Sequence, residues 1–431
     1  MPRPRIVIIG GGFAGLSAAK ILRRADAEIV LFDRHNHHVF QPLLYQVATA
    51  GLSPSQIAVP IRNLFARRPN VEVRMEEITG IDTDARVVRT DGSEAKYDYL
   101  LIAAGMTHSY FGHDDWRPYA PGLKSIDDAL EMRRRFLLSF ERAELETDEA
   151  KRRALTTFVI IGGGPTGVEL AGALAEIATK SLPSDFRNVD TSQTRILLVE
   201  GGPRLLATFD ESLAERARID LAGMGVEVRL NTFAKSIDAQ GVDFESKESG
   251  AERVDAGTVF WAAGVKAESI ARNVSAQNDK LGRIEVLKDL SVPGHPEVFA
   301  LGDIAKVVDA HGKETPGVAQ GAMQMGTHAA RIIAHEIKDG PRSPKARPAF
   351  RYKDKGNMAT IGRRRAIADF GRLKIAGMPA WLLWAFVHVA FLIGFRNKLI
   401  TMIEWIYSYI TFRRGARLIT GQKTDAASPA E

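Results

Sequence analysis

The sequence predicts an α/β protein made of two similar parallel-sheet domains, followed by a helical C-terminal region. Three observations support this fold class. A glycine-rich turn follows a short apolar strand near the N-terminus, and the same pattern returns at Gly162. The last part of the chain contains an uncharged stretch, IAGMPAWLLWAFVHVAFLIGF, at 375–395. A length of 431 residues fits two or three domains.

Composition narrows the protein class. The chain is 45% hydrophobic and 26% charged, which is typical of a globular protein and excludes disorder or a polytopic membrane protein. The net charge of +6 is too small to indicate nucleic-acid binding without a clustered basic face. The chain has no cysteine, so disulfides, thiolate metal sites and thiol nucleophiles are excluded. No metal site is expected.

The N-terminus, MPRPRIVIIGGGFAGLSAA, has basic, apolar and small residues in the order of a signal peptide. Glycines at 10, 11, 12 and 15 would break an apolar targeting helix, whereas a strand, a tight turn and a helix need them there. We therefore expect the chain to remain in the cytoplasm.

The first glycine motif joins a strand, Ile6–Ile9, to an alanine-rich helix. Gly10 permits the tight turn, Gly12 lets a pyrophosphate approach the backbone, and Gly15 allows close helix packing. The next strand, EIVLFD, ends in Asp33, whose carboxylate can accept from a ribose hydroxyl. This arrangement predicts a Rossmann-like dinucleotide-binding domain.

The second motif places Gly162, Gly164 and Gly167 after the strand 158–161. The following strand, RILLVE, ends in Glu200, further along than usual because a polar insertion, KSLPSDFRNVDTSQT, precedes it. An acid there repels a 2′-phosphate and so favours NADH over NADPH, although Arg204 lies nearby. Two such domains predict two dinucleotides and electron transfer between them.

Several later segments match a known family. YDYLLIAAG (97–105) and GTVFWAAG (257–264) are strands that end in small residues, and EVFALGD ends in Asp303. Together they resemble flavoproteins with two dinucleotide-binding domains. The segments FQPLLYQVATAGLSP, THSYFGHDDW, AQGAMQMG, KGNMATIGR and FRNKLITMIEWIYSYITFRRGARLI are similar to type II NADH dehydrogenases, the non-pumping NADH:quinone oxidoreductases. Related disulfide reductases and sulfide:quinone reductases need cysteine, which this chain lacks.

The resemblance implies FAD at the first motif and NADH at the second. The implied FAD contacts are Gly10, Gly12, Phe13, Ala14, Gly15, Asp33, Arg34, Pro42, Leu43, Ala104, Gly105, Asp303, Ala319 and Gln320. The implied NADH contacts are Gly162, Gly164, Pro165, Thr166, Gly167, Glu169, Glu200, Ala263 and Gly264.

Four residues are the candidate catalytic set. Gln320 and Gln324 lie one turn apart on a helix that the sequence begins at Thr315 and Pro316, and the resemblance implies that they line a quinone pocket. It places Glu169 near the nicotinamide and flavin, and Lys355 near the quinone end of the flavin. The alternatives without a catalytic role are a solvated glutamine pair, an acid in the first turn of a helix and a surface lysine.

The C-terminal stretch predicts a monotopic membrane anchor. The uncharged helix 380–395 is about 24 Å long at ~1.5 Å per residue, too short for a hydrocarbon core of about 30 Å. The segment 399–412 is amphipathic, with Thr401, Glu404, Ser408 and Thr411 on one arc. The basic residues expected to bind anionic lipid are Arg396, Lys398, Arg413, Arg414 and Arg417. A core-helix reading stays open, and the tail KTDAASPAE is expected to be disordered.

These features predict an enzyme on the cytoplasmic face of the inner membrane that passes a hydride from NADH to FAD and two electrons to ubiquinone or menaquinone. The expected domains are 1–115 and 266–340 for FAD, 116–265 for NADH, and 341–431 for the anchor. A homodimer is possible, and nucleic acid is not an expected partner. The alternatives are a soluble NADH oxidase or diaphorase, and a non-catalytic NADH-sensing flavoprotein.

Overall fold

The computed structural model describes residues 3–274, 277–341, 343–412 and 414–420. They form two compact units, each built from three segments of the chain. Unit 1 consists of Met1–His38, Val59–His108 and Val265–Lys355, and unit 2 of Val39–Ala58, Ser109–Gly264 and Gly356–Glu431. The sequence had placed 39–58 in the first FAD-binding segment, whereas this stretch belongs to unit 2.

The helices of the described residues are numbered in chain order. They are α1 Phe13–Leu22, α2 Leu44–Ala48, α3 Pro54–Ile57, α4 Ile61–Phe65, α5 Ile126–Leu145, α6 Glu149–Leu155, α7 Pro165–Glu176, α8 Glu211–Ala222, α9 Ala319–Asp339, α10 Met378–Phe391 and α11 Phe395–Thr411.

The strands are numbered in the same way. They are β1 Arg5–Ile9, β2 Glu28–Asp33, β3 His37–Val39, β4 Ala58–Pro60, β5 Val71–Met75, β6 Ile78–Asp82, β7 Val87–Thr90, β8 Glu94–Lys96, β9 Tyr99–Ile102, β10 Met106–His108, β11 Thr157–Ile161, β12 Arg195–Val199, β13 Val226–Arg229, β14 Thr232–Ile237, β15 Gly241–Ser246, β16 Gly250–Asp255, β17 Thr258–Trp261, β18 Val265–Ala267, β19 Ile284–Glu285, β20 Ser291–Val292, β21 His295–Ala300, β22 Ala305–Lys306, β23 Asn357–Gly362, β24 Arg365–Asp369 and β25 Lys374–Ala376.

Unit 1 is built on a six-stranded sheet in the order β20-β21-β9-β1-β2-β5, parallel except at the β20 edge. Its central strands are continuous apolar runs because both faces are covered. Helix α1 packs closely on α9, since Gly326 has no Cβ and an added one would lie 2.1 Å from the carbonyl oxygen of Ala14. The first glycine turn therefore sits at the carboxyl edge of a parallel sheet, as predicted.

Unit 2 contains a second parallel sheet, in the order β13-β12-β11-β17, and an antiparallel sheet of β14, β15 and β16. The last part of the chain adds a three-stranded antiparallel sheet, β23-β24-β25, and helices α10 and α11. Helix α7 packs against β23 so tightly that a Cβ on Gly172 would lie 1.6 Å from the carbonyl oxygen of Ile361. The α/β fold class with two parallel-sheet halves and C-terminal helices is confirmed.

Three predicted helix boundaries are wrong. Helix α9 begins at Ala319, not at Thr315, because the Thr315 N–H donates to the carbonyl of Val307 and so continues the preceding hairpin. Helix α10 ends at Phe391, whereas the predicted helix, 380–395, ends four residues later. The chain turns at Gly394, which has φ 89°. Helix α11 then starts at Phe395, four residues earlier than expected.

Helix α11 is amphipathic, but its polar side faces the protein and its apolar side faces outward, the opposite of an ordinary surface helix. Thr401 is fully buried, Asn397 donates to the carbonyl of Ala58, and Trp405 donates to the Gln46 side chain, so these polar groups face the protein. The apolar side chains point outward, and Phe395 and Ile410 are 82% and 72% exposed. No helix in the described ranges is long and apolar enough to cross a membrane.

Candidate active site

The first glycine turn has open space where a phosphate would lie. A Cβ on Gly10 would clash with the carbonyl oxygen of Ala103 at 2.4 Å, and Gly10 has φ 98°, so only glycine fits there. A Cβ on Gly12 would meet nothing within 4 Å. Gly12 caps α1 without a side-chain hydrogen bond, leaving the N–H groups of the first turn for an anion. The turn therefore fits a pyrophosphate.

The Asp33 carboxylate is fixed by the backbone around this turn. It accepts from the N–H of Gly11 at 2.6 Å and of His35 at 2.7 Å. An ionised carboxylate has about four acceptor positions, so Asp33 can still bind a ribose hydroxyl. The Arg34 guanidinium forms an ion pair with Glu268 at 2.8 Å.

The other implied FAD contacts fall into two groups. In unit 1, Phe13, Ala14 and Gly15 begin α1, Ala104 and Gly105 follow β9, Asp303 follows β21, and Ala319 and Gln320 begin α9. Pro42 and Leu43 belong to unit 2, where they form a 3₁₀ turn and Leu43 is fully buried.

The second glycine turn, in unit 2, repeats the design of the first. Gly162 has φ 114° and no room for a Cβ, Gly164 faces open space, and Gly167 packs on the carbonyl oxygen of Gly162. Pro165 and Thr166 begin α7. The Glu200 carboxylate accepts from the N–H groups of Gly163 and Gly202, both at 2.7 Å. These residues fit a second dinucleotide, and Glu200 takes the place that Asp33 takes in unit 1.

Ala263 and Gly264 follow β17, the strand beside β11. The backbone at Gly264 lies close to the Phe111 ring, since a Cβ on Gly264 would lie 2.6 Å from it. The guanidinium of Arg204 donates to the carbonyl of Ala207 at 2.9 Å.

Gln320 and Gln324 bind the chain segment that carries Lys355. The Gln320 side-chain oxygen accepts from the N–H of Lys355 at 3.1 Å. The Gln324 amide both donates to the carbonyl of Lys353 at 3.0 Å and accepts from its N–H at 2.9 Å. The structure therefore brings Gln320, Gln324 and Lys355 together in unit 1, with the two amides holding backbone.

Glu169 belongs to unit 2, where it lines a cavity. The cavity measures about 100 Å³, enough for several waters, each needing ~10–15 Å³. Its walls come from α2, α7, the end of β23, α10, α11 and the chain after α11. The lining residues are Tyr45, Gln46, Thr49, Gly51, Glu169, Ala173, Glu176, Ser181, Thr360, Ile361, Gly362, Arg363, Trp381, Trp384, Trp405, Ser408, Tyr409, Phe412 and Arg414.

Burial raises the pKa of the Glu169 carboxyl to about 8, so this group is protonated at neutral pH. A hydrogen bond from the N–H of Thr360, at 3.5 Å, offsets only part of the effect. Burial and the nearby Glu169 also raise the pKa of Tyr45. Glu169 is thus a neutral acid that lines a cavity, the environment expected of a group that exchanges protons.

Trp384 lines the same cavity and carries a buried donor without a partner among the described residues. Its side chain is 2% exposed and stacks between His388 and Trp405, at ring-centroid distances of 4.3 and 5.4 Å. The indole N–H is buried and has no hydrogen-bond partner in the described structure. A buried donor without an acceptor costs ~1–3 kcal/mol, so a ligand carbonyl here would be stabilised.

Sequence reasoning missed the charged cluster of this cavity. Glu176 pairs with both Arg363 and Arg414, each at 3.1 Å, and Arg414 also donates to the carbonyl of Thr49 at 3.0 Å. Arg414 and Arg417 are predicted to bind lipid headgroups, and in the structure Arg414 pairs with Glu176 and Arg417 with Asp185, so their binding to lipid stays a prediction. Arg413 and the tail KTDAASPAE lie outside the described residues.

The Arg396 side chain is exposed, while Lys398 donates to the carbonyl of Ala390 at 2.7 Å. Of the predicted basic residues beside α11, Arg396 therefore remains exposed, and Lys398 is partly engaged by the protein.

Comparison with known proteins gives a consistent result. Residues 4–326 match the pyridine nucleotide-disulphide oxidoreductase family, and residues 355–414 match the NDH2 C-terminal domain. The chain is 41% identical to the type II NADH:quinone oxidoreductase Ndh of Mycobacterium tuberculosis, over 100% of this chain and 93% of that one. It is 42% identical to NdhA of the same organism, over 97% and 90%. The NDH2 structure from Plasmodium falciparum in complex with NADH superposes with a TM-score of 0.87, at 20% identity, covering 97% of this chain and 100% of that one.

Proposed function

The chain belongs to the type II NADH:quinone oxidoreductase family, and on this basis we propose that it oxidises NADH and reduces a membrane quinone without pumping protons. The observation that carries the proposal is the presence of two glycine turns of the same design in one chain. Each has a carboxylate held by the second glycine of its turn, Asp33 at Gly11 and Glu200 at Gly163.

When bound, FAD supplies the redox chemistry, accepting a hydride from NADH and passing two electrons on. The chain's own residues bind and orient the substrates. The N–H groups at the starts of α1 and α7 fit the two pyrophosphates, and the carboxylates of Asp33 and Glu200 fit ribose hydroxyls. Glu200 favours NADH, because its charge opposes a 2′-phosphate.

The cavity of unit 2 is our candidate site for the quinone ring. Flat aromatic walls, from Trp381, Trp384 and Tyr409, suit a ring, and the unpaired N–H of Trp384 suits its carbonyl oxygen. Glu169 holds a proton at this cavity at neutral pH. Gln320, Gln324 and Lys355 remain predicted catalytic residues, with the two glutamines holding the Lys355 segment in place.

We further propose that the enzyme lies on the cytoplasmic face of the inner membrane, attached by α10 and α11. The outward apolar side chains of α11 support this, since a solvated helix would turn its polar arc outward. Arg396 is the basic residue best placed to meet an anionic headgroup. A homodimer and the choice between ubiquinone and menaquinone stay predictions.

NADH oxidation by FAD-loaded protein on liposomes, with and without quinone, tests the proposed function. We expect turnover to require quinone and to increase when liposomes are present. Equal turnover without quinone would support the soluble oxidase, and slow turnover under all conditions would support the sensing flavoprotein. The outward apolar helices already disfavour the soluble alternative.

A further inference from the structure

Two arginines that line the cavity share a single carboxylate. Four of its lining residues carry a carboxyl or guanidinium group: Glu169, Glu176, Arg363 and Arg414. Arg363 and Arg414 share Glu176 as their carboxylate, each at 3.1 Å. Among the described residues Glu169 pairs with neither arginine and accepts from the N–H of Thr360, and burial raises its pKa to about 8. Within this cluster of described residues two cations therefore share one anion, which leaves a surplus of one positive charge.

Neighbouring groups solvate this surplus charge without cancelling it. Arg363 donates to the carbonyls of Ser408 and Tyr409, both at 2.7 Å, and lies over the Phe412 ring at 3.8 Å. Arg414 donates to the carbonyl of Thr49. The acid nearest in sequence to this end of α7, Asp185, is paired with Arg417. Carbonyl dipoles and a ring face stabilise a guanidinium but leave its formal charge in place.

Both guanidinium groups are partly buried, and a partly buried charge is screened less by salt than an exposed one. Burial lowers the pKa of Arg414, which reflects the cost of keeping that charge away from water. A ligand that brings a negative charge into the cavity recovers part of this cost. The aromatic walls require that the same ligand also present a flat apolar ring.

We propose that this cavity holds its ring ligand preferentially as a monoanion, and that Arg363 and Arg414 make the reduced quinone anion the best-bound form. This inference rests on the proposed function. The hydride that leaves NADH carries two electrons and one proton, so NADH becomes NAD⁺ and a quinone Q that receives them becomes QH⁻. One further proton, ultimately from water, gives the quinol QH₂. The surplus charge stabilises QH⁻ between these two steps.

A matched pair of ligands isolates the effect of charge. The first is a naphthoquinone with a ring hydroxyl that is ionised at neutral pH, and the second is its neutral methyl ether. Dissociation constants for both are measured by calorimetry with FAD-loaded protein at pH 7. We expect the anion to bind about tenfold more tightly than the ether, the order expected for one partly buried charge pair.

Substitutions should move this preference in opposite directions. Arg363→Gln removes the surplus cation, so the anion preference should fall to about one. Glu176→Gln leaves two unpaired cations, so the preference should rise. A variant that folds poorly would weaken both ligands alike and leave the ratio unchanged. Arg365→Gln is the matched control, because Arg365 donates to the carbonyl of Asp220 and does not line the cavity.

Two results would overturn the inference, and they are distinguishable. If both ligands compete with quinone but their affinity ratio is the same in all variants, the charge argument is wrong and the proposed function stands. If neither ligand competes with quinone in turnover, the cavity is not the acceptor site and both proposals about the cavity fail together.

Discussion

The carboxylate of Glu200 accepts a hydrogen bond from the backbone N–H of Gly163 at 2.7 Å. Unit 1 repeats this contact between Asp33 and Gly11 at 2.6 Å. In each turn, the acid at the end of the second strand is tied to the glycine loop that faces the expected pyrophosphate. The glycine loop and the acid are therefore held together in both turns.

Replacing Glu200 tests the assignment of the second turn. We expect Glu200→Gln to raise the KM for NADH about tenfold, because the ribose loses a charge-assisted acceptor worth ~1.5–3 kcal/mol. The KM for NADPH should fall, since the repulsion of the 2′-phosphate is removed. Steady-state kinetics with both nucleotides checks this, and an unchanged FAD content is the internal control. If the variant loses FAD instead, the second turn binds FAD and its assignment to NADH is wrong.

The raised pKa of Glu169 makes stability depend on pH. The folded carboxyl titrates at about 8, above the unfolded value near 4.5, so the folded state binds the extra proton between these values. This stabilisation is complete below pH ~4.5 and is lost as the pH rises through about 8. Relative to the wild type, Glu169→Gln should therefore gain stability from pH 5 to 8, by at most ~1.4 kcal/mol per unit.

Thermal melting of both proteins at several pH values measures this difference. Above pH ~8 the difference in stability between Glu169→Gln and the wild type should be constant. A gap that is flat from pH 5 to 9 would mean that Glu169 titrates as an ordinary surface acid.

The unpaired indole N–H of Trp384 predicts a selective effect on the quinone. Trp384→Phe keeps an aromatic ring and removes the donor, so the KM for quinone should rise several-fold, by the ~1 kcal/mol of one hydrogen bond. The KM for NADH should not change. Trp116→Phe is the control, because Trp116 is also buried but does not line the cavity. Equal effects of both variants would contradict the assignment.

The outward face of α10 and α11 predicts membrane binding through apolar contacts. Changing Phe386 and Ile410, each 72% exposed, to serine should weaken liposome binding at least tenfold, since a fully buried large side chain gives ~1.5–3 kcal/mol. Folding should be unaffected because neither side chain packs in the core. Leu145→Ser is the matched control, at 83% exposed on α5. Sedimentation with liposomes measures the binding, and unchanged sedimentation of the double variant would rule out this face.

The sequence predicted those features that arise from local chain geometry. The positive φ of Gly10 and Gly162 and the acids Asp33 and Glu200 follow from short motifs, and the structure has them where expected. The start of α9 was wrong because Thr315 bonds back to Val307, a contact that a capping pattern cannot reveal.

The charge cluster around Glu176 could not be predicted in the same way. Arg363 and Arg414 come from segments far along the chain from Glu176, and an arginine run after an apolar helix is more typical of a lipid-binding edge. For α11, the polar arc could be predicted from the sequence but its direction could not, because a helical wheel does not show which side contacts protein. Only the tertiary contacts of Thr401 and Asn397 place that arc inward.

The proposed function requires that electrons from NADH reach a quinone. Its most direct test is the stoichiometry of the reaction without oxygen, using FAD-loaded protein on liposomes that contain quinone. We predict that one quinol forms for each NADH oxidised, until one substrate is exhausted. If NADH is consumed only after oxygen is admitted and no quinol appears, the claim is contradicted and the chain is an oxidase.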